Sequence, residues 1–190
     1  NHLVRLRRQL EKIKKTRELH RKSRAKVPFP TVSLVGYTNA GKSTLFNLLT
    51  GANEFSANML FATLDPKMKS LDLDNNTEVI LSDTVGFISD LPTELIAAFR
   101  ATLEEVLSAD LIIHVRDISH ENTESQGYEV NKVLQNLGIS ESTPIIEIWN
   151  KIDLLDPEKR KSIENSSKRH KETFAVSALS RDGIPKLIKE

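Results

Sequence analysis

The sequence predicts a three-layer α/β/α fold: a mostly parallel sheet with one antiparallel edge strand, preceded by a basic N-terminal helix. Two observations support this prediction. Short apolar, β-branched runs alternate with segments of helical periodicity along the 190 residues, which is the pattern of a parallel sheet covered on both faces. Polar motifs follow the predicted strands where they end, and in a parallel sheet those carboxyl ends meet at one edge, where ligands bind.

The formal net charge of +1 conceals a strong asymmetry between two parts of the chain. Residues 1–26 carry eleven Lys or Arg and two Glu, whereas residues 27–190 carry sixteen basic and twenty-four acidic side chains. We therefore divide the chain into a basic helix at 1–26, the remnant of an upstream domain, and a globular domain at 27–190. The chain has no cysteine and no apolar run long enough to span a membrane, so we expect a monomer in the cytoplasm or an organellar matrix.

The basic segment 1–26 contains no Gly or Pro, which favours one continuous helix. Leu3, Leu6, Leu10 and Ile13 have the spacing of a short coiled-coil seam, and such a seam requires a partner helix. We therefore expect the helix to continue upstream. Its basic side chains fit an arm that contacts nucleic-acid phosphates, and they fit equally well the solvated face of an interdomain helix.

The first strand of the globular domain is predicted at 31–35, and a phosphate-binding loop follows it directly. Residues 36–43 match the pattern G-x-x-x-x-G-K-[ST], and a helical pattern of apolar residues comes next. The two glycines allow backbone N–H groups to surround a β-phosphate, Lys42 reaches the β- and γ-oxygens, and the Ser43 hydroxyl ligates Mg²⁺. The residues predicted to contact nucleotide here are Gly36, Asn39, Ala40, Gly41, Lys42, Ser43 and Thr44.

The remaining elements follow in alternation. A hairpin is predicted from strands at 67–72 and 78–81, and Pro92 marks the start of a helix that runs to about residue 109. Apolar runs then predict strands at 111–115, 144–149 and 174–176. Helical patterns between and after them predict helices at 128–137, at 157–170 and from about residue 182.

A second polar motif, D-x-x-G at 83–86, ends the second strand of the hairpin. Asp83 at this position can hold Mg²⁺ through a water molecule, and the Gly86 N–H can contact a γ-phosphate. Thr63 lies in the aperiodic loop between the phosphate loop and this motif. A threonine there can complete the coordination of Mg²⁺ and order the loop while a γ-phosphate is present.

A third motif, N-K-x-D at 150–153, follows a predicted strand and has the chemistry to recognise guanine. The Asp153 carboxylate can accept from the ring N1–H and the exocyclic amine, which adenine does not offer together. Asn150 can bond the O6/N7 edge and brace the phosphate loop, while the Lys151 stem lies over the ring face. Ser177-Ala178 would complete the base pocket with a backbone N–H to O6.

The order of these motifs is that of Ras-like GTPases, and longer strings resemble the HflX family of translational GTPases. The strings are G-Y-T-N-A-G-K-S-T-L-F-N at 36–47, L-F-A-T-L-D-P at 60–66, D-T-V-G-F-I at 83–88 and A-F-R-A-T-L-E-E at 98–105. The resemblance implies a P-loop GTPase that uses GTP/GDP and Mg²⁺. It also implies binding to the large ribosomal subunit and its rRNA through the basic helix and an upstream domain, and dissociation or rescue of stalled ribosomes.

Phe87 occupies the position where Ras-like proteins carry the Gln that orients the attacking water. The family shares this departure, so the intrinsic rate is expected to be slow and another group must position the water. A ribosomal contact is one candidate. The other is K⁺, because Asn39 stands where the potassium-stimulated GTPases that the chain resembles carry Asn. The alternative is that Asn39 only tightens the turn.

Two other functions remain open from the sequence. The chain could be a ribosome- or RNA-binding module that uses GTP as a structural ligand with negligible hydrolysis, which the missing Gln favours. A P-loop ATPase or small-molecule kinase is disfavoured by the N-K-x-D motif. His114 is interpreted as a satisfied core histidine, and Asp117, which ends a strand near the site, as structural.

Overall fold

The sheet is resolved in a computed structural model that describes residues 29–52, 67–73, 77–84, 86–87, 106–139 and 142–189. Three predictions lie outside the described residues: the basic helix at 1–26, the loop with Thr63, and most of the helix at 92–109. The division of the chain at residue 26 therefore stays a prediction.

Six described strands form one sheet. The strands are β1 Thr31–Gly36, β2 Lys67–Leu73, β3 Thr77–Asp83, β4 Leu111–Asp117, β5 Ile145–Asn150 and β6 Thr173–Ala175. Their order across the sheet is β2-β3-β1-β4-β5-β6. Only the β2–β3 pair is antiparallel, and β2 lies at the edge, so the predicted sheet is confirmed. The Val- and Ile-rich segments form the central strands because they are buried on both faces.

Four α-helices and two 3₁₀ turns connect the described strands. The helices are α1 Lys42–Thr50, α2 Thr123–Asn136, α3 Pro157–Ser167 and α4 Ile184–Lys189. The 3₁₀ turns are Val106–Ser108 and Ile152–Leu154, and the first replaces the predicted α-helical end near residue 109. None of the described helices combines the length and the hydropathy needed to cross a membrane.

Two helix boundaries differ from the prediction for local reasons. Helix α2 begins at Thr123, upstream of the predicted start at 128, because its polar first turn carries no apolar periodicity. Helix α3 begins as predicted, with Pro157 in its first turn and the Asp156 side chain accepting from the Lys159 N–H at 2.9 Å. It ends at Ser167, whose hydroxyl donates to the Glu164 carbonyl at 3.0 Å.

Two apolar clusters pack on opposite faces of the sheet, which makes the fold three-layered. Leu34, Val115 and Ile148 face one cluster, with Leu45 of α1 and Ile184 of α4. The other cluster lies on the side of α2 and contains Val35, Phe87, Val106, Ala109, Ile112, Val130 and Leu134. The alternation of side chains along each strand delivers them to the two faces in turn.

The central position of β1 determines where the site lies. β1 pairs in parallel with both β3 and β4, and β4 pairs in parallel with β5. Leu34 is the register partner of Asp83, and Asp117 is the register partner of Asn150. The carboxyl ends of four strands, and the motifs that follow them, therefore meet at one edge of the sheet.

Candidate nucleotide-binding site

The phosphate loop has a backbone conformation that requires its two glycines. Gly36 has φ 149° and Gly41 has φ 98°, both unfavourable for a residue with a side chain. A Cβ at Gly36 would collide with the Val115 carbonyl oxygen, and one at Gly41 would collide with Asn150 Nδ2. Asn39 also has a positive φ, 61°, in the left-handed region that Asn tolerates better than most residues. The phosphate loop is therefore packed directly against β4 and against Asn150, the first residue of the N-K-x-D motif (the base motif).

The phosphate loop is also hydrogen-bonded to the segment that carries Gly86 and Phe87. The Thr38 N–H donates to the Phe87 carbonyl at 2.7 Å, and the Phe87 N–H donates to the Gly36 carbonyl at 3.0 Å. A Cβ at Gly86 would lie 2.9 Å from Lys42 Nζ, so the Gly86 backbone sits beside that ammonium group. The first and second motifs thus form one unit.

Lys42, the first residue of α1, is buried although it is ionisable. Its Nζ donates to the carbonyl oxygens of Tyr37 at 2.9 Å and Gly36 at 3.2 Å. Burial lowers the pKa of Lys42 to about 8, and the Asp83 carboxylate acts in the opposite direction. A phosphate anion beside Nζ would supply the negative charge that favours the ammonium form, so this environment fits a phosphate ligand.

Ser43 and Asp83 are joined by a short hydrogen bond, in which Ser43 Oγ donates to Asp83 Oδ2 at 2.7 Å. Asp83 is fully buried at the end of β3. Hydroxyl and carboxylate oxygens are the hard ligands that Mg²⁺ prefers, and Mg²⁺ usually keeps several water ligands besides a few protein oxygens. The two residues therefore fit a magnesium site beside the phosphate loop.

Asn150 joins the phosphate loop to the turn at 177–178 through both ends of its side-chain amide. Its Nδ2 donates to the Ala40 carbonyl at 2.9 Å, and its Oδ1 accepts from the Ala178 N–H at 2.9 Å. The predicted brace on the phosphate loop is thus present. The Ala178 N–H, assigned from the sequence to a guanine O6, donates here to Asn150. The neighbouring Ser177 is fully buried and its Oγ accepts from the Ser180 N–H at 3.0 Å.

Asp153 offers a hydrogen-bond acceptor that the described part of the chain does not use. Its Oδ1 is buried and has no partner among the residues that the structure describes. A buried polar atom without a partner is costly, so such an atom usually marks a place where a ligand or water binds. Asp153 lies in the 3₁₀ helix Ile152–Leu154 that follows Asn150 closely, so this acceptor is on the same segment as the brace.

Comparisons with known proteins identify the family. A family model described as 50S ribosome-binding GTPase matches residues 31–151. The GTPase HflX of Magnetococcus marinus is 49% identical over 97% of this chain, and the GTPase HflX of Escherichia coli is 44% identical over 100% of it. The chain belongs to the HflX family of GTPases. It spans less than half the length of these two relatives, 42% and 44% respectively.

The HflX-family chain also resembles solved structures. A GTP-binding protein from the hyperthermophilic archaeon Sulfolobus solfataricus, crystallised in complex with GDP, is 31% identical, with a TM-score of 0.65. The match covers 92% of this chain and 55% of that one. The mostly parallel sheet is thus that of the GTPase fold, as predicted from the sequence.

The HflX-family fold brings the predicted site residues that the structure describes to one edge of the sheet. Thr63 lies outside the described residues. The residues that meet at this edge are Gly36, Asn39, Ala40, Gly41, Lys42, Ser43, Thr44, Asp83, Gly86, Asn150, Lys151, Asp153, Ser177 and Ala178.

Sequence reasoning missed the part that Asp117 plays in this HflX-family site. Asp117 was interpreted as structural, but its Oδ2 accepts from Lys151 Nζ at 2.7 Å, within the base motif itself. The contact joins the ends of two neighbouring strands that are far apart in sequence. A carboxylate that ends the strand next to an N-K-x-D motif was the signal that could have indicated it.

A second missed feature is a polar cluster between β4, β5 and α2, in which Arg116 is buried, Glu147 is partly buried and Glu124 is exposed. Arg116 contacts Glu147 at 3.2 Å and Glu124 at 2.7 Å, and Trp149 Nε1 donates to Glu147 at 2.9 Å. His114 is in the core, as expected. However, its Nδ1 has no hydrogen-bond partner among the described residues and lies 3.9 Å from Glu147 Oε1, so the expectation that it is satisfied is wrong for that atom.

Proposed function

We propose that this chain binds GTP and GDP with Mg²⁺ and hydrolyses GTP. The observation that carries the proposal is the Asn150 side chain, which ties the Ala40 carbonyl of the phosphate loop to the Ala178 N–H. This link supports one site that combines the phosphate-binding loop with the buried Asp153 acceptor, which has no partner among the described residues. A ligand that satisfies both ends carries a phosphate chain and a purine with adjacent donors, which is a guanine nucleotide.

The proposed roles follow from the chemistry of each group. Lys42 stabilises negative charge on the phosphates, Ser43 and Thr63 ligate Mg²⁺, and Asp83 holds the ion through water. When bound, Mg²⁺ neutralises charge that develops on the phosphate oxygens. The Gly86 N–H contacts the γ-phosphate. The base is held by Asn150, Lys151, Asp153, Ser177 and Ala178, with the Ala178 N–H shared between Asn150 and the O6 atom.

Slow intrinsic hydrolysis is part of the proposal. Phe87 is 2% exposed and packs in the apolar cluster with Val35, and its side chain has no polar atom to orient water. Its backbone is fixed by two hydrogen bonds to the phosphate loop. In this proposal a partner, or K⁺ held near Asn39, supplies the group that positions the water. The left-handed backbone of Asn39 forms a tight turn, which is consistent with a K⁺ site and equally with a purely structural role for Asn39.

We further propose that the partner is the large ribosomal subunit with its rRNA, and that the chain acts in ribosome dissociation or rescue. The description of the matching family, 50S ribosome-binding GTPase, supports this partner. The eleven basic side chains in residues 1–26 supply a charge that suits rRNA phosphates.

The test is steady-state GTP hydrolysis with and without large ribosomal subunits, measured in KCl and in NaCl. We expect a low basal rate and strong stimulation by the subunits, and the Lys42→Ala variant should lose both. Equal rates in the two salts would rule out a role for K⁺.

A second function is favoured by the buried Phe87, which leaves the described site without a water-positioning side chain. In this alternative, GTP is a structural ligand of a ribosome-binding module. Retained GTP binding with no hydrolysis in the presence of the subunits would support the module and contradict the enzyme.

A further inference from the structure

Asp117, at the end of β4, lies beside the N-K-x-D motif that is proposed to bind the base. It is the register partner of Asn150 across the β4–β5 pair, and the neighbouring Ile118 N–H donates to the Asn150 carbonyl at 3.0 Å. The carboxylate is therefore level with the first residue of the base motif.

The two oxygens of Asp117 have separate tasks. Oδ1 accepts from the Ser119 N–H at 3.0 Å and from the Ser119 hydroxyl, which fixes the carboxylate on its own loop. Oδ2 accepts from Lys151 Nζ at 2.7 Å. The Asp117 side chain is 13% exposed and the Lys151 side chain is 22% exposed, so water and salt screen this ion pair less than they screen a surface pair.

Lys151 is a residue whose position needs such an anchor. Its φ is 69°, a left-handed conformation that residues with a Cβ adopt rarely, and its long side chain has many rotamers. The contact with Asp117 fixes the ammonium group at the far end of the side chain. The four methylene groups between backbone and ammonium are then held in one path across the site.

We propose that Asp117 is a positioning residue for nucleotide binding: it holds Lys151 so that the apolar stem of the lysine lies against the face of the purine. The proposal rests on the proposed guanine-nucleotide site. A contact with the ring face does not depend on the groups at the ring edge. Asp117 therefore contributes to affinity for purine nucleotides in general, whereas Asp153 distinguishes among them.

The test compares GDP with IDP, which lacks the exocyclic amine, by titration calorimetry on the chain at constant pH. We expect Asp117→Asn to weaken both nucleotides by the same factor, about five- to tenfold, because Asn retains the size of Asp but not the charge. Asp153→Ala should instead reduce the preference for GDP over IDP. The ratio of the dissociation constants for GDP and IDP thus distinguishes a lost contact with the ring face, which leaves the ratio unchanged, from a lost contact with the ring edge, which changes it.

The matched control is Asp110→Asn. Asp110 precedes the same strand at its opposite end and accepts from the Thr31 N–H at 2.7 Å, so the control replaces a hydrogen-bonded carboxylate by an amide away from the site. It should leave both affinities unchanged. Ser119→Ala tests whether the contact of Asp117 with Ser119 accounts for the loss of affinity on its own. This variant should change the affinities for GDP and IDP much less than Asp117→Asn does.

A double-mutant cycle with Lys151→Met identifies the route of the effect. Met keeps an apolar stem but cannot pair with Asp117, so Lys151→Met should weaken GDP and IDP equally, and Asp117→Asn should add little to it. Unchanged affinity in either single variant, or full additivity, would overturn the proposal. If Asp117→Asn does not fold, Lys151→Met alone still decides. Failure of the unmodified chain to bind GDP would instead refute the proposed function.

Discussion

At the scale of single residues, the site depends on a few side chains with unusual surroundings. Lys42 is buried against two carbonyl oxygens, and Asp153 has a buried acceptor that no described residue uses. Both groups have a free-energy penalty that a bound nucleotide removes. The penalty at Lys42 makes the affinity for nucleotide sensitive to the protonation of this lysine.

Nucleotide affinity should fall as the pH rises above about 8. Burial lowers the pKa of Lys42 to about 8, so Lys42 loses its charge in the nucleotide-free protein above this pH, and phosphate binding must then restore the proton. Between pH 7 and pH 9 the dissociation constant for GDP should rise about tenfold. Calorimetry in buffers of different ionisation enthalpy would also show proton uptake at pH 9.

The Lys42→Ala variant is the control for this pH dependence, because it retains any contribution from titration of the guanine ring. Its dissociation constant should be larger at every pH and should change much less between pH 7 and pH 9. A constant affinity of the unmodified chain across this range would contradict the environment described for Lys42.

At the scale of elements, local patterns were sufficient for most strands and insufficient for contacts between them. The Val- and Ile-rich runs predict the ends of β1, β4 and β5 to within two residues, since buried parallel strands need such runs. The first turn of α2 was missed because Thr123 to Gly127 carry no apolar stripe. The Asp117–Lys151 contact was missed because cross-strand register is a property of the sheet and not of either segment.

The cluster between β4, β5 and α2 should make stability depend on pH. Burial is the main reason that the pKa of His114 falls to about 4; Arg116 and Lys42 act in the same direction, and Glu147 opposes them. In the unfolded chain His114 takes up a proton near pH 6.5, so stability is full above this pH and is lost as the pH falls towards 4. The free energy of unfolding, measured with urea, should fall by about 2 kcal/mol between pH 7 and pH 5.

Two variants separate His114 from other acid effects. His114→Gln should flatten the change between pH 7 and pH 5, although it lowers stability overall. His170→Gln, at an exposed histidine, should preserve the change. An unaltered slope in His114→Gln would show that another group is responsible. Glu147, whose pKa is already lowered, should act mainly at lower pH.

At the scale of the whole molecule, Asn150 is the residue on which the site depends. The sequence predicted every described motif of the site and its order along the chain, because each motif follows a strand and the strands are parallel. It also predicted that Asn150 braces the phosphate loop. It could not indicate that the other end of the same amide occupies the Ala178 N–H, since this requires the three-dimensional spacing of β5 and β6.

Replacing Asn150 should remove most of the stabilisation that nucleotide gives to the fold. A ligand at a hundred times its dissociation constant stabilises a protein by about 2.7 kcal/mol. Asn150→Ala breaks both links, so at the same GDP concentration the gain should fall below about 1 kcal/mol. Thermal or urea unfolding with and without GDP measures this difference. Asn131→Ala, at an exposed position on α2, should keep the full gain, and an equal gain in Asn150→Ala would contradict the proposed site.

The two hydrogen bonds of Asn150 also determine when, during its synthesis, the chain becomes able to bind nucleotide. The Ala40 carbonyl is 110 positions before Asn150, and the Ala178 N–H is 28 positions after it. The phosphate loop therefore leaves the ribosome long before the residues that hold it in place. A nascent chain that ends before Asn150 has the loop sequence without its brace, and one that ends before β6 still lacks the Ala178 N–H that holds the other end of the Asn150 amide. Tight binding of nucleotide is therefore expected only late in translation, when the last strand of the sheet is present.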